Sequence, residues 1–156
     1  IFGSLMLLFV GFGYAKPVPV NPGNYRVKNG TFYVSGAGPA MNMLLAVLGG
    51  MLFQYFQNTD QLIMGNFPVG TLLYLFILIN VNLCIFNLIP LGPLDGSYVL
   101  PYLLPGDLRR RYEFWNAQYG NQVIMGLILV SMALPQINLF GWIIPLSRSI
   151  LSVLMT

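Results

Sequence analysis

No charged residue occurs between Lys28 and Asp60, and none between Asp60 and Asp95. Uncharged blocks of that length, filled with Leu, Ile, Val, Phe and Met, leave few folds open. A soluble domain would have too little polar side chain in them to cover its surface. A bilayer takes them readily, since about 20 apolar residues in a helix cross its hydrocarbon core. Composition agrees: of 156 residues, 56% are hydrophobic and 7% charged, against about 25% charged in soluble domains. The expected class is an all-α integral membrane protein, a single membrane domain over 1–156 with about three to five transmembrane or re-entrant segments.

Residues 1–13 read as the end of a membrane segment. Residues 14–34 form a polar loop: prolines at 17, 19 and 22 hold its first half extended. Its second half reads as a β-hairpin turning at Asn29-Gly30, a small amphipathic ribbon at the membrane surface. A membrane helix follows over 35–57, with its start placed at Gly38-Pro39 because proline suits a first helical turn. Along it Gly38, Asn42, Ala46 and Gly50 form a stripe at four-residue spacing, which lets helix backbones approach closely in lipid. A second crossing covers 68–96 and ends in the irregular PLGPLDG turn. Residues 97–119 are more polar, and 120–156 hold the C-terminal membrane segments, with Pro145 and Arg148 interrupting the last.

Six of the seven basic residues lie in two loops: Lys16, Arg26 and Lys28 in 14–34, and Arg109, Arg110 and Arg111 in 97–119. The intervening loop has only Asp60. Positive charge collects on the cytoplasmic side, so 14–34 and 97–119 are expected there, in a multi-pass protein of a prokaryotic plasma membrane. A net charge of +3, so dispersed, gives no reason to expect nucleic acid as a partner. The single cysteine, Cys84, excludes an internal disulfide.

Polar residues inside a membrane are costly and usually functional. The second crossing carries Asn80, Asn82 and Asn87, and Asp95 lies eight residues beyond the last. On residue chemistry alone two readings stand level: Asp95-Gly96 as a plain turn with Asn87 as a packing group, or both as parts of a site.

The whole string from Asn87 to Gly96, NLIPLGPLDG, resembles the N-x-x-P-x-x-P-L-D-G motif of the site-2 protease family of intramembrane zinc metallopeptidases. GYAKPVPVNP (Gly13 to Pro22) and AGPAMN (Ala37 to Asn42) resemble two further stretches of that family's small forms, which have no inserted PDZ domain, and in the same order. The resemblance implies that Asp95 is one protein ligand of a catalytic zinc ion and that Asn87 assists the substrate. Gly38, Pro39, Asn42, Pro90, Pro93 and Gly96 would shape the site around them. The implied reaction is hydrolysis of peptide bonds in transmembrane proteins, with the bilayer as the other partner. Zinc hydrolases keep three protein ligands and leave a fourth position for water.

One departure matters. The family's other ligands are the two histidines of an H-E-x-x-H helix, and this chain has no histidine. Its opening inside an apolar run favours a fragment whose upstream part carries that helix. A catalytically inactive membrane relative with a binding or regulatory role, or a transporter segment with Asn80, Asn87 and Asp95 lining a path, are the alternatives.

Overall fold

A computed structural model describes residues 29–59, 61–63, 68–134, 136 and 139–156. Helix α1 spans Gly30–Asn58 and α2 spans Val69–Asn87. After the PLGPLDG turn come a short helix α3 (Gly96–Val99) and a 3-10 turn (Leu100–Leu103). Helix α4 (Gly106–Trp115) then runs through a π-helical turn (Asn116–Gly120) directly into α5 (Asn121–Ala133). Helix α6 (Ile143–Leu154) closes the chain. All regular structure among the described residues is helical, as expected. Among the described residues, two helices, α1 and α2, are long and apolar enough to cross a membrane.

The hairpin is not found. Residues 30–34 are the first turn and more of α1, while 25–28, like the 1–13 segment and the GYAKPVPVNP stretch, lie outside the described residues. A two-residue hairpin of the Asn-Gly type needs positive φ at both central residues. Here only Asn29 has it, at φ 66°, and Gly30 is already helical. Asn tolerates that single left-handed step, so Asn-Gly serves as a lead-in to a helix. Phe32 then turns onto the 3-10 turn, its ring 5.4 Å from that of Tyr102.

The start of α1 also differs from expectation, since Pro39 lies inside the helix and not in its first turn. A proline clashes with the Cβ of the residue before it. Gly38 has no Cβ, and this removes the main objection to Pro39 at an interior position. The proline ring is fully buried, so its lost hydrogen bond is offset in part by packing.

Apart from its asparagines, helix α2 is apolar all round, as a helix surrounded by lipid and protein should be. Its Ile77, Val81 and Ile85 join Ala46 of α1, Ile89, and Ile143 and Leu151 of α6 in one core. The small-residue stripe of α1 packs closely at Ala46 and Gly50. Ala46 is fully buried, and a Cβ on Gly50 would sit 2.6 Å from the Leu154 carbonyl of α6. Gly49, beside the stripe, fits against α2 in the same way: a Cβ there would sit 2.9 Å from the Phe76 ring. Outward, Met41, Leu44, Leu48 and Leu52 of α1 and Leu72, Leu75, Ile79 and Leu83 of α2 are exposed. Apolar surface so extensive is a membrane-facing feature. Helix α6 buries Ile143, Ser147 and Leu151 on one face, and at about 1.5 Å per residue it is shorter than a ~30 Å hydrocarbon core.

Candidate metal centre

The site is built on the segment between α2 and α3. Helix α2 ends at Asn87 because two prolines follow closely and cannot continue its hydrogen bonds. The chain then makes a tight loop whose two ends touch. A Cβ on Gly96 would fall 2.2 Å from the Leu88 carbonyl oxygen and 2.8 Å from that of Ile89. Only glycine allows this contact, which fixes the residue next to Asp95 against the end of α2. Within the loop, the Leu94 N–H donates to the Leu91 carbonyl (3.3 Å) and Gly92 takes positive φ, 61°. That conformation favours glycine.

Asp95 stands at the N-cap of α3. Aspartate there normally accepts a hydrogen bond from a nearby backbone N–H. This one does not: its side chain makes no capping bond. Its carbonyl serves α3, accepting from Tyr98 (3.0 Å) and Val99 (3.2 Å). The carboxylate is turned instead onto α1, where a Cβ on Gly38 would lie 3.0 Å from Oδ2. The AGPAMN and PLDG stretches, far apart in sequence, therefore meet at one point. Ion pairs among the described residues join Arg109 to Glu113 and Arg110 to Asp107, and leave Asp95 out.

A half-buried carboxylate with no donor aimed at it among the described residues, in a space kept open by a missing side chain, suits a metal ligand. It supplies one ligand only. No group of three or more His, Cys, Asp or Glu that could hold a metal occurs among the described residues. The chemistry of Asp95 suits one donor to a zinc ion, and the described residues do not supply the others.

The other expected site residues divide. Asn87 is half-buried at the last turn of α2, and Asn42 is half-buried one turn beyond Gly38 on α1. Pro90 and Pro93 are exposed on the loop. Asn80, a pathway residue in the transporter reading, is buried and donates to the Phe76 carbonyl of its own helix at 2.8 Å. That is a packing role.

Three residues near the site were not expected. Tyr112 donates its hydroxyl to the Pro90 carbonyl (3.0 Å). The Gly92 N–H donates to Asn116 Oδ1 at 3.0 Å, and Asn116 Nδ2 donates back to the Gly92 carbonyl at 3.4 Å. Ser97, 3% exposed, holds a buried hydroxyl without a hydrogen-bond partner among the described residues. No spacing rule links positions 90–92 to 112–116, so these contacts were invisible in the sequence.

With this geometry in place, comparison with known proteins decides the family. The family model of Peptidase family M50 matches residues 60–132. A Bacillus subtilis (strain 168) protein named "Putative zinc metalloprotease YwhC" is 34% identical over 113 residues, covering 70% of this chain and 52% of the relative. The chain belongs to peptidase family M50, the site-2 protease family. It spans about half the length of the curated relative it matches. No solved structure matches the chain. The matched M50 region takes in α2, the loop and Asp95, together with Tyr112 and Asn116.

Proposed function

We propose that this chain carries the aspartate half of an intramembrane zinc metalloprotease site. The observation that carries the reading is the Asp95 carboxylate, withheld from the cap of its own helix and directed at Gly38. The remaining ligands, two histidines by family resemblance, would come from residues outside this sequence. Bound zinc would supply Lewis acidity and make water acidic enough to ionise near neutral pH.

The chain's own residues hold and shape. Asp95 would bind the metal through a carboxylate oxygen. Asn87, at the end of α2, would hydrogen-bond an extended substrate strand. Substrates would be transmembrane segments that unwind locally, because a peptide bond in an intact helix is shielded by its own hydrogen bonds. With the Arg109-Arg110-Arg111 side cytoplasmic, α1 and α2 would form part of a multi-pass bundle in a prokaryotic plasma membrane.

The test is made in the full-length protein. Asp95→Asn should abolish cleavage and sharply weaken zinc retention, because the amide keeps size but loses the charge that holds a cation. Asn87→Ala should lower turnover while zinc content stays near that of the wild type. Full activity in the Asp95 variant would end the assignment and favour a plain Asp-Gly turn, in which asparagine serves equally well.

A further inference from the structure

We propose that Asn116 is a positioning residue for the metal-ligand loop, acting through Gly92 on Asp95; the inference rests on the metal-ligand role of Asp95. Asn116 lies at the first position of the π-helical turn, outside the loop it binds. Its side-chain amide takes both polar atoms of one peptide residue, accepting from the Gly92 N–H (3.0 Å) and donating to the Gly92 carbonyl (3.4 Å). Two bonds to one residue fix orientation as well as distance. The gripped residue is three positions from Asp95.

The fit around this clamp is too close to be incidental. A Cβ on Gly120 would fall 2.2 Å from Asn116 Oδ1 and 2.9 Å from the Gly92 nitrogen. A Cβ on Gly92 would fall 2.8 Å from the Gly120 carbonyl and 2.7 Å from the Ile124 side chain. Two glycine backbones thus meet face to face, and that approach brings the loop within reach of the amide. The π-helical turn between α4 and α5 is a rare element that often occurs at functional sites, and here it holds both Asn116 and Gly120. One turn earlier on the same side, Tyr112 holds the Pro90 carbonyl. The outer side of the loop is thereby tied once to α4 and once to the π-helical turn, while Gly96 fixes its inner end on Leu88.

Outer groups that orient a metal ligand typically change affinity by about 10–100-fold when removed. The experiment compares Asn116→Ala, Asn116→Leu and Asn116→Asp in the full-length zinc-loaded protein, with Asp95→Asn alongside. Zinc release to a chelator and the kcat and KM of cleavage are both measured. Asn116→Ala and Asn116→Leu should release zinc about tenfold faster and lose kcat with KM nearly unchanged. Asn116→Asp keeps the acceptor for the shorter bond and should restore most of the retention. A role in packing alone predicts the reverse order, with leucine tolerated and the aspartate variant worst. That order, or wild-type release from the leucine variant while Asp95→Asn loses zinc, overturns the clamp and leaves the proposed function intact. Wild-type zinc retention in Asp95→Asn overturns the reading on which the clamp depends.

Discussion

Replacing Gly38 by alanine separates the stability of α1 from the integrity of the site. Glycine in a helix interior costs about 0.5–1 kcal/mol relative to alanine, so substitution should favour the helix. Pro39 opposes this, because a Cβ at the preceding residue meets the proline ring. The two effects have opposite sign, and the net change in unfolding free energy should lie within about 1 kcal/mol. The site responds differently. The new Cβ would lie 3.0 Å from Asp95 Oδ2, closer than an ordinary van der Waals contact, so the carboxylate must retreat by a few tenths of an ångström. Ligand distances in metal sites hold to about ±0.2 Å, so the required movement exceeds the tolerance. Relaxation of the loop is restricted by the Gly96–Leu88 contact, whose Cβ clearance is only 2.2 Å. A loss of about tenfold in zinc affinity, about 1.4 kcal/mol, is the expected scale.

The assay pairs denaturant unfolding in detergent micelles with zinc competition against a chelator, on the full-length protein. Gly38→Ala should leave the unfolding midpoint nearly unmoved while zinc binding weakens, and Gly38→Val should weaken it further. Zinc affinity unchanged in both variants would refute the steric argument. A fall in stability that matches the loss of zinc affinity would refute it too, by showing that the substitution damages the helix packing.

Two other outcomes follow from the geometry. Gly96→Ala must displace backbone, not a flexible side chain, because its Cβ meets the Leu88 carbonyl at 2.2 Å; it should destabilise by several kcal/mol, beyond the usual ~0.5–3 kcal/mol of single substitutions, and circular dichroism melts would show it. Cysteine at Gly106, where a Cβ meets nothing within 4 Å, and cysteine at Gly23 should react with an impermeant thiol reagent from the cytoplasmic side. Cysteine at Gln61 should react from the other side, and labelling of positions 23 and 106 from opposite faces would refute the proposed topology.

How far sequence alone reached depended on the range of each interaction. The helices α1 and α2 were legible because hydrophobic runs of membrane length depend on no other part of the chain. The irregular loop that carries Asp95 was legible through a local string in which each proline and glycine has a local cause. Asn-Gly at 29–30 misled, since a single left-handed residue opens a helix as easily as a hairpin. The start of α1 was misplaced because the glycine before Pro39 makes an interior proline acceptable. Tyr112 and Asn116 left no signal, since their partners lie 22 and 24 positions away. Their reach also depends on a π-helical turn that no apolar periodicity announces. The meeting of Gly38 with Asp95 was implied only in that both stretches belonged to one family pattern.

The loop's hydrogen bonds show how a carboxylate can be kept available in such a place. Irregular backbone at membrane depth is tolerated only where it is buried in protein or faces a wet cavity. Every amide it contains is a possible partner for Asp95. Those of Leu88, Ile89, Leu91, Leu94, Ser97, Tyr98 and Val99 donate to backbone carbonyls of α2, the loop and Asp95 itself. The Gly92 amide is taken by Asn116, and Pro90 and Pro93 have none to give. A carboxylate that accepts several backbone N–H bonds has its charge already stabilised and its pKa lowered. It then competes poorly as a ligand for a cation. Here those eight amides are satisfied elsewhere, and the cap of α3 is left without its usual side-chain acceptor. Each of these features leaves the Asp95 carboxylate with unmet demand for positive charge, which a divalent metal ion would satisfy.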